Sequence, residues 1–152
     1  MDLALIAIGR RMPAWVSEGF EEYRRRMPSH LSLRLIELDG GRGTSEVEIR
    51  RDEAARLTAK IPDGARIVAL DGRGKAWSTA DLSSRLEGWQ MDGRPVAFLV
   101  GGSTGLDDAV LAAADQRWSL GPLTLPHMLV RVLLAEQLYR AWALSSGHPY
   151  HK

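Results

Sequence analysis

Glycine and proline residues cluster at three points where the sequence predicts the end of a buried strand. The three segments are Leu70 to Gly72, Gly101 to Gly105 and Leu120 to Pro126. Glycine adopts backbone conformations that other residues avoid, and it lets peptide N–H groups approach a ligand closely. Open α/β sheets bind ligands outside the carboxyl ends of their strands, so these segments predict a ligand site. The middle segment alone, GGSTG, is more typical of a structural turn, because it lacks the dinucleotide and P-loop spacings.

Polar residues interrupt an apolar helix near the C-terminus in two pairs with helical spacing. His127 and Arg131 are four residues apart, as are Glu136 and Arg140, so each pair shares a helix face. The spacing allows a functional role for each pair. A plain intrahelical salt bridge is an equally good interpretation of Glu136 with Arg140, and pairing at an interface is an equally good one for Arg131.

The C-terminal segment carries an unusual density of polar and aromatic groups. Its residues are Gly147, His148, Pro149, Tyr150, His151 and Lys152. Two imidazoles, a phenol and an ammonium supply hydrogen-bond donors and stacking surfaces that suit a nucleotide. The alternative is a disordered tail or a purification remnant, since most termini are polar and disordered.

Strand-like and helix-like segments alternate along the chain and must position these groups. Strands are predicted at 2–8, 31–38, 65–70, 95–100 and 116–120, and helices at about 13–26, 45–60, 78–90, from 107 or 108, and 126–145. Ser45 with Glu48, and Ser78 with Asp81, indicate helix starts. A turn through Asp71, Gly72 and Gly74 is predicted after the third strand. This alternation predicts a three-layer α/β/α fold with a mostly parallel sheet.

Composition narrows the classes of protein to consider. The 152 residues fit a single domain spanning 1–152, and the absence of cysteine excludes disulfides and Cys-ligated zinc. No metal site is predicted, and charges break the longest apolar stretch, so no membrane span is predicted. The net charge is only +1, so attraction to nucleic acid must come from local patches. The densest such run, Arg24 to Arg26, is most simply a solvated helix face.

The final predicted helix is apolar around nearly its whole circumference. A helix of that kind is buried on all sides. The sheet can cover one side, and the opposite side then needs another cover. The sequence therefore predicts a homodimer.

Four segments resemble the RlmH family, formerly called the YbeA family, in order and at matching separations. They are MPAWV, FLVGGSTGL, WSLGPLTLPHMLVRVLLAEQLYRAW and HPYHK, and together they cover essentially the whole chain. The resemblance implies a SPOUT methyltransferase with a C-terminal trefoil knot, working as a homodimer in the cytoplasm. It also implies that S-adenosylmethionine donates a methyl group to N3 of a pseudouridine in 23S ribosomal RNA, on assembled ribosomes.

The resemblance also assigns roles to individual residues. Cofactor contacts fall on Leu70, Gly101, Gly102, Leu120, Gly121, Pro122, Leu123, Thr124 and Leu125. RNA contacts fall on His127, Arg131, His148 and Lys152, and catalytic roles on Arg140, Tyr150 and His151, with the tail of one subunit reaching the cofactor of the other. Arg140 is expected to stabilise negative charge on the base, His151 to accept a proton, and Tyr150 to stack or hydrogen-bond. Gly121 and Pro122 lie in a variable part of the family's third loop, which leaves the adenine contacts open.

Two other classes of protein fit parts of the sequence. A nicotinamide-dependent oxidoreductase also needs glycine loops after strands, but the G-x-G-x-x-G spacing and its acidic ribose partner are missing. A non-catalytic ribosome-binding protein explains the basic run and the tail without needing the three loops.

Overall fold

Five parallel strands form one sheet in the computed structural model of the chain, which describes residues 1–151 apart from the His151 side chain. The strands are β1 (Asp2–Ile8), β2 (Ser32–Leu38), β3 (Arg66–Ala76), β4 (Val96–Val100) and β5 (Gln116–Ser119), in the spatial order β2-β1-β4-β3-β5. The helices are α1 (Ala14–Arg24), α2 (Glu46–Lys60), α3 (Thr79–Asp92), α4 (Asp108–Ala113) and α5 (His127–Ser146), followed by a 3-10 turn at Pro149–His151. All strand pairs are parallel, so their carboxyl ends meet at one edge.

The helices cover both faces of the sheet because side chains alternate along each strand. In β1, Leu3, Leu5 and Ala7 point into a core shared with α1, α3 and α5. The intervening residues Ala4, Ile6 and Ile8 point into a second core shared with α2 and α4. This confirms the predicted three-layer α/β/α architecture.

The helices begin close to where the capping residues predicted. Ser78 and Asp81 form a complete capping box at the start of α3. Ser45 Oγ accepts the Glu48 N–H at 3.2 Å at the start of α2, while the Glu48 carboxylate accepts the Thr44 N–H at 2.7 Å. These bonds satisfy amide groups that have no partner inside the helix.

The prediction of a turn after the third strand was wrong. β3 runs on to Ala76, with an irregularity in its pairing with β5 between Leu70 and Lys75. Gly74 makes this continuation possible, because a Cβ at that position would lie 2.6 Å from the carbonyl carbon of Arg117. Asp71, Gly72 and Gly74 suggested a turn. Glycine and aspartate occur both in turns and at irregularities within strands, so the sequence alone does not distinguish the two.

The basic run on α1 is an ion-paired helix surface. Arg24 pairs with Glu21, and Arg25 and Arg26 both pair with Glu22. These are exposed pairs of residues three or four apart, which agrees with the prediction of a solvated face. Along the part of the chain that the structure describes, no helix is long and apolar enough to cross a bilayer.

Candidate active site

Three loops at the carboxyl edge of the sheet surround one cavity of about 500 Å³. They are the segments after the first part of β3, after β4 and after β5, which is the convergence that the sequence predicted. Every residue predicted to contact the cofactor lines this cavity, namely Leu70, Gly101, Gly102, Leu120, Gly121, Pro122, Leu123, Thr124 and Leu125. The cavity has the volume of a typical small-molecule site.

The loop after β4 depends on glycine for its shape. Gly101 packs against the backbone of Gly105, and a Cβ on Gly101 would lie 2.7 Å from the Gly105 carbonyl carbon. Gly105 has a φ of +83°, a conformation that favours glycine. Its N–H donates to the carbonyl of Gly102 at 3.1 Å, which closes the loop tightly. The three glycines of this loop therefore bring backbone to the cavity, beside the lining residues Ser103 and Leu106.

The loop after β5 has a polar base and an apolar surface. Gly121 has a φ of +117°, and the Ser119 hydroxyl accepts its N–H at 3.1 Å and bonds to its carbonyl at 3.2 Å. Leu123 is 77% exposed although it lines the cavity. Such a side chain is suited to cover an apolar ring of a ligand.

Two buried nitrogen atoms of cavity-lining residues lack a hydrogen-bond partner within the described residues. They are Trp118 Nε1 and His127 Nδ1. Buried polar groups are nearly always paired, so these two nitrogens are exceptions, but both atoms are inaccessible and do not themselves face the cavity. The Trp118 ring is fixed by stacking on Trp77 at 4.9 Å, with an angle of 13° between the planes.

Arg131 lies one turn after His127 but points into the protein. Only 1% of it is exposed. Its guanidinium donates to Glu37 Oε2 at 2.6 Å, to the Gly9 carbonyl at 2.8 Å and to the Ile8 carbonyl at 3.3 Å. It therefore joins α5 to the ends of β1 and β2. This placement corrects the expectation of an RNA contact, because a guanidinium enclosed in this way is not accessible to RNA.

Arg140, predicted to be catalytic, lies in the second half of α5 and is held by Glu136. The distance from Arg140 Nε to Glu136 Oε1 is 2.6 Å, and this hydrogen bond raises the pKa of Arg140. The guanidinium carbon of Arg140 lies 4.9 Å from the centre of the Tyr150 ring. The predicted intrahelical salt bridge is therefore present, and it orients the guanidinium toward the tail.

The tail folds back against the helices of its own chain. The Tyr150 ring lies 4.6 Å from that of Tyr139, and the His148 ring lies 6.1 Å from the same tyrosine. Burial is the main cause that raises the pKa of Tyr150 to about 12, so its phenol is neutral near pH 7. The side chain of His151 and all of Lys152 lie outside the described residues.

The predicted site residues thus form two groups at opposite ends of α5. His127 lines the cavity at the start of the helix, whereas Arg140 and the tail lie near its end. Thirteen residues at 1.5 Å each separate His127 from Arg140 along the helix by about 20 Å. Within one chain, the tail and the cavity do not form one site.

The sequence prediction missed several residues that shape these groups. Trp118 and Val130 line the cavity, and Glu37 pairs with Arg131. The position of Trp118 in the last strand before a predicted ligand loop was a usable signal for the first. Glu37 gave no such signal, because it lies 94 residues from its partner.

Comparisons with known proteins identify the class that this fold and cavity define. The family model described as "Predicted SPOUT methyltransferase" matches residues 1–151. A probable methylase family protein from Haemophilus influenzae has a TM-score of 0.58 at 9% identity, covering 95% of this chain and 68% of that one. The SpoU methyltransferase AviRb from Streptomyces viridochromogenes has a TM-score of 0.51 at 14% identity, covering 95% and 60%. The solved structures support the fold, and the family model places the chain among SPOUT methyltransferases, which use S-adenosylmethionine as methyl donor.

Two curated relatives narrow the class further. Proteins named "Ribosomal RNA large subunit methyltransferase H" from Pseudomonas fluorescens and Pseudomonas putida are 52% and 50% identical to this chain over 155 residues, covering 100% of each sequence. The chain belongs to the family of ribosomal RNA large subunit methyltransferase H. This confirms the family predicted from sequence and excludes the oxidoreductase and the non-catalytic ribosome-binding protein.

Proposed function

We propose that this protein transfers a methyl group from S-adenosylmethionine to N3 of a pseudouridine in 23S ribosomal RNA. The proposed substrate is the assembled ribosome in the cytoplasm. The observation that carries the proposal is the convergence of three loops around one cavity, in a chain that matches large-subunit methyltransferases over its full length. The names of those relatives support large-subunit ribosomal RNA as the substrate, and the pseudouridine N3 and the assembled ribosome are what the family resemblance implies.

The cavity fits the methyl donor in size and in chemistry. Gly101, Gly102 and the segment from Leu120 to Leu125 offer backbone groups and apolar surface, and Leu70 is a further apolar lining residue. The donor, when bound, supplies a methyl group attached to a sulfonium sulfur, and the neutral thioether that remains is a good leaving group. The role of the chain is then to hold the donor and the base in line, and this positioning supplies most of the rate acceleration.

A homodimer brings the two separated groups of residues together. If the α5 helices of two subunits pack antiparallel, the end of one helix lies beside the start of the other, and the gap of about 20 Å within each chain is bridged. The surface available for this contact is apolar. It includes half-buried Met128, Leu129 and Leu133 on α5, together with Trp15, which is 56% exposed on α1. We include in the proposal the C-terminal trefoil knot of the family.

In this arrangement the tail of one subunit acts on the base held near the donor of the other. The imide N3 of pseudouridine carries a proton at neutral pH, and it must lose this proton to become a nucleophile. Arg140, held by Glu136, stabilises the negative charge that develops on the base. His151 accepts the proton, and Tyr150 with its neutral phenol stacks on the base or donates a hydrogen bond to it. His148 and Lys152 contact the RNA nearby.

Methyl transfer to ribosomes tests the proposal directly. Labelled S-adenosylmethionine is incubated with ribosomes that lack the modification, and the altered nucleoside is mapped. Label on N3 of one pseudouridine in 23S RNA is the expected result. Label at another nucleoside, or label in naked RNA but not in ribosomes, contradicts the proposed substrate.

Mixing two inactive variants tests the shared site. Gly101→Ala is expected to disable the cavity, and Arg140→Ala the catalytic group of the partner. Because half of the mixed dimers are heterodimers and each has one intact site, activity should recover to about one quarter of the wild-type level. Failure to recover any activity after subunit exchange contradicts a site built from two chains.

A further inference from the structure

Two loops next to the cavity form a basic rim, which we define as residues 9–12 after β1 and residues 39–43 after β2. Both loops follow the carboxyl ends of neighbouring strands. An ion pair joins them, with Arg10 Nε 2.8 Å from Asp39 Oδ1. The rim therefore behaves as one surface, fixed at the edge of the sheet where the predicted chemistry lies.

Arg11, in the first loop of this rim, adopts a backbone conformation that is unfavourable for arginine. Its φ is +57°, and it has the only positive φ of a non-glycine residue in the described chain. A left-handed conformation costs a residue with a Cβ about 1–2 kcal/mol, and glycine avoids that penalty. The side chain is exposed, so packing does not explain why arginine stands here. Strain of this kind, when it has no structural reason, points to a function of the side chain.

The rim lies at the mouth of the cavity. A Cβ placed on Gly9 would lie 3.4 Å from Cε1 of His127, which lines the cavity. The Gly9 carbonyl accepts a hydrogen bond from buried Arg131 at 2.8 Å, so the base of the loop is held firmly. Arg11 is two residues from this anchored glycine. Its guanidinium is therefore attached to a rigid base beside the site of methyl transfer.

Two arginine side chains of the rim form no ion pair in the part of the chain that the structure describes. Arg11 and Arg42 are exposed, and within the described residues neither forms an ion pair, in contrast to Arg10. The two loops hold three arginines and one aspartate, a formal charge of +2, while the carboxylates of Asp52 and Glu53 accept the N–H groups of Arg42 and Gly41 at 2.9 and 2.8 Å. A cation without a carboxylate partner contributes most to the binding of a polyanion, because no existing ion pair must be broken first.

We propose that the basic rim binds RNA phosphates that flank the target nucleotide, with Arg11 as the main contact and Arg42 as a second one. This inference rests on the proposed function and adds a binding site to it. The contacts position the RNA without selecting its sequence, as phosphate contacts generally do. In this proposal the unfavourable backbone conformation of Arg11 is retained because the exposed guanidinium has a function in binding RNA.

The test uses Arg11→Gly, because glycine fits a φ of +57° and removes only the side chain. We expect the thermal stability of this variant to equal or exceed that of the wild type. Its Kd for unmodified ribosomes, measured without S-adenosylmethionine, should rise about tenfold, the loss of one hydrogen-bonded charge contact. The slope of log Kd against log salt concentration should fall by about 0.7–0.9. Arg42→Ala should show a smaller change in the same direction.

Two controls separate a specific contact from general charge. Lys60→Ala removes an exposed cation at the end of α2, next to the opposite edge of the sheet, and should leave the Kd and the salt slope unchanged. Arg11→Lys keeps the charge and should restore most of the affinity. An unchanged Kd in Arg11→Gly, or an equal loss in Lys60→Ala, overturns the inference. If the wild type binds ribosomes but transfers no methyl group to them, the proposed function fails, while the affinity comparison still tests the rim.

Discussion

Arg131 offers the sharpest test of how the fold supports the cavity. In Arg131→Ala, Glu37 loses its ionic partner, and the carbonyls of Ile8 and Gly9 lose their donor. Removing one partner of a buried ion pair costs about 3–5 kcal/mol. Glu37 is 34% exposed and regains water, so we expect the lower end, about 3 kcal/mol. Glu37→Gln keeps an acceptor and leaves both carbonyl bonds intact, but it leaves the buried Arg131 guanidinium without a counter-charge, so it should also cost about 2–3 kcal/mol.

Urea unfolding at a fixed protein concentration measures both variants, since the stability of a dimer depends on concentration. A loss of about 3 kcal/mol corresponds to a fall in Tm of about 6–12 °C for a chain of this length. The Gly9 backbone lies against His127, so the alanine variant should also bind S-adenosylmethionine more weakly in calorimetry. An Arg131→Ala protein as stable as the wild type, or a Glu37→Gln protein as stable as the wild type, refutes the reasoning.

Three further predictions concern single side chains. Gly101→Ala should abolish binding of S-adenosylmethionine in calorimetry, because the new Cβ would lie 2.7 Å from the Gly105 backbone. In the control Gly88→Ala, in α3, the new Cβ meets nothing within 4 Å, so this variant should be more stable by about 0.5–1 kcal/mol in urea unfolding. Ser78→Ala should destabilise α3 by about 1 kcal/mol in the same assay through loss of its cap, and the exposed Ser84→Ala should not. Folding raises the pKa of Tyr150 to about 12, so the neutral phenol contributes its full share to the free energy of unfolding below pH 10. That contribution is lost as the pH rises from 10 to 12. Tyr150→Phe should therefore remove a late-titrating phenol from the tyrosinate absorbance curve, and a wild-type activity limb between pH 8 and 10 that disappears in this variant contradicts a neutral Tyr150.

The sequence predicted the layers of the fold and the location of the cavity because both depend on local patterns. Alternating apolar residues define each strand, and capping serines mark where helices start. Glycines at strand ends, such as Gly101, indicate where backbone must approach a ligand. Parallel pairing then brings these ends to one edge without any further information, since all carboxyl ends lie on the same side.

Other features were not predictable because they depend on contacts between distant residues. The continuation of β3 past Leu70 depends on Gly74 lying against Arg117 in another strand. The burial of Arg131 depends on Glu37, which lies 94 residues earlier, and on two carbonyls at the end of β1. A helical spacing places Arg131 on the face of His127 but cannot decide whether that face meets solvent or sheet.

The length of α5 links the packing of the core to the geometry of the proposed dimer. Leu134, Ala135, Leu138 and Ala141 are fully buried against the sheet, so the middle of the helix is fixed by the fold. His127 and Arg140, the polar residues proposed for the chemistry, therefore stay about 20 Å apart along the helix. Neither end can reach the other within a chain, because bending the helix would break that core. In the proposed dimer, an antiparallel pair of helices would bring the two residues together with no change in either subunit, which is why the proposal divides the site between two chains.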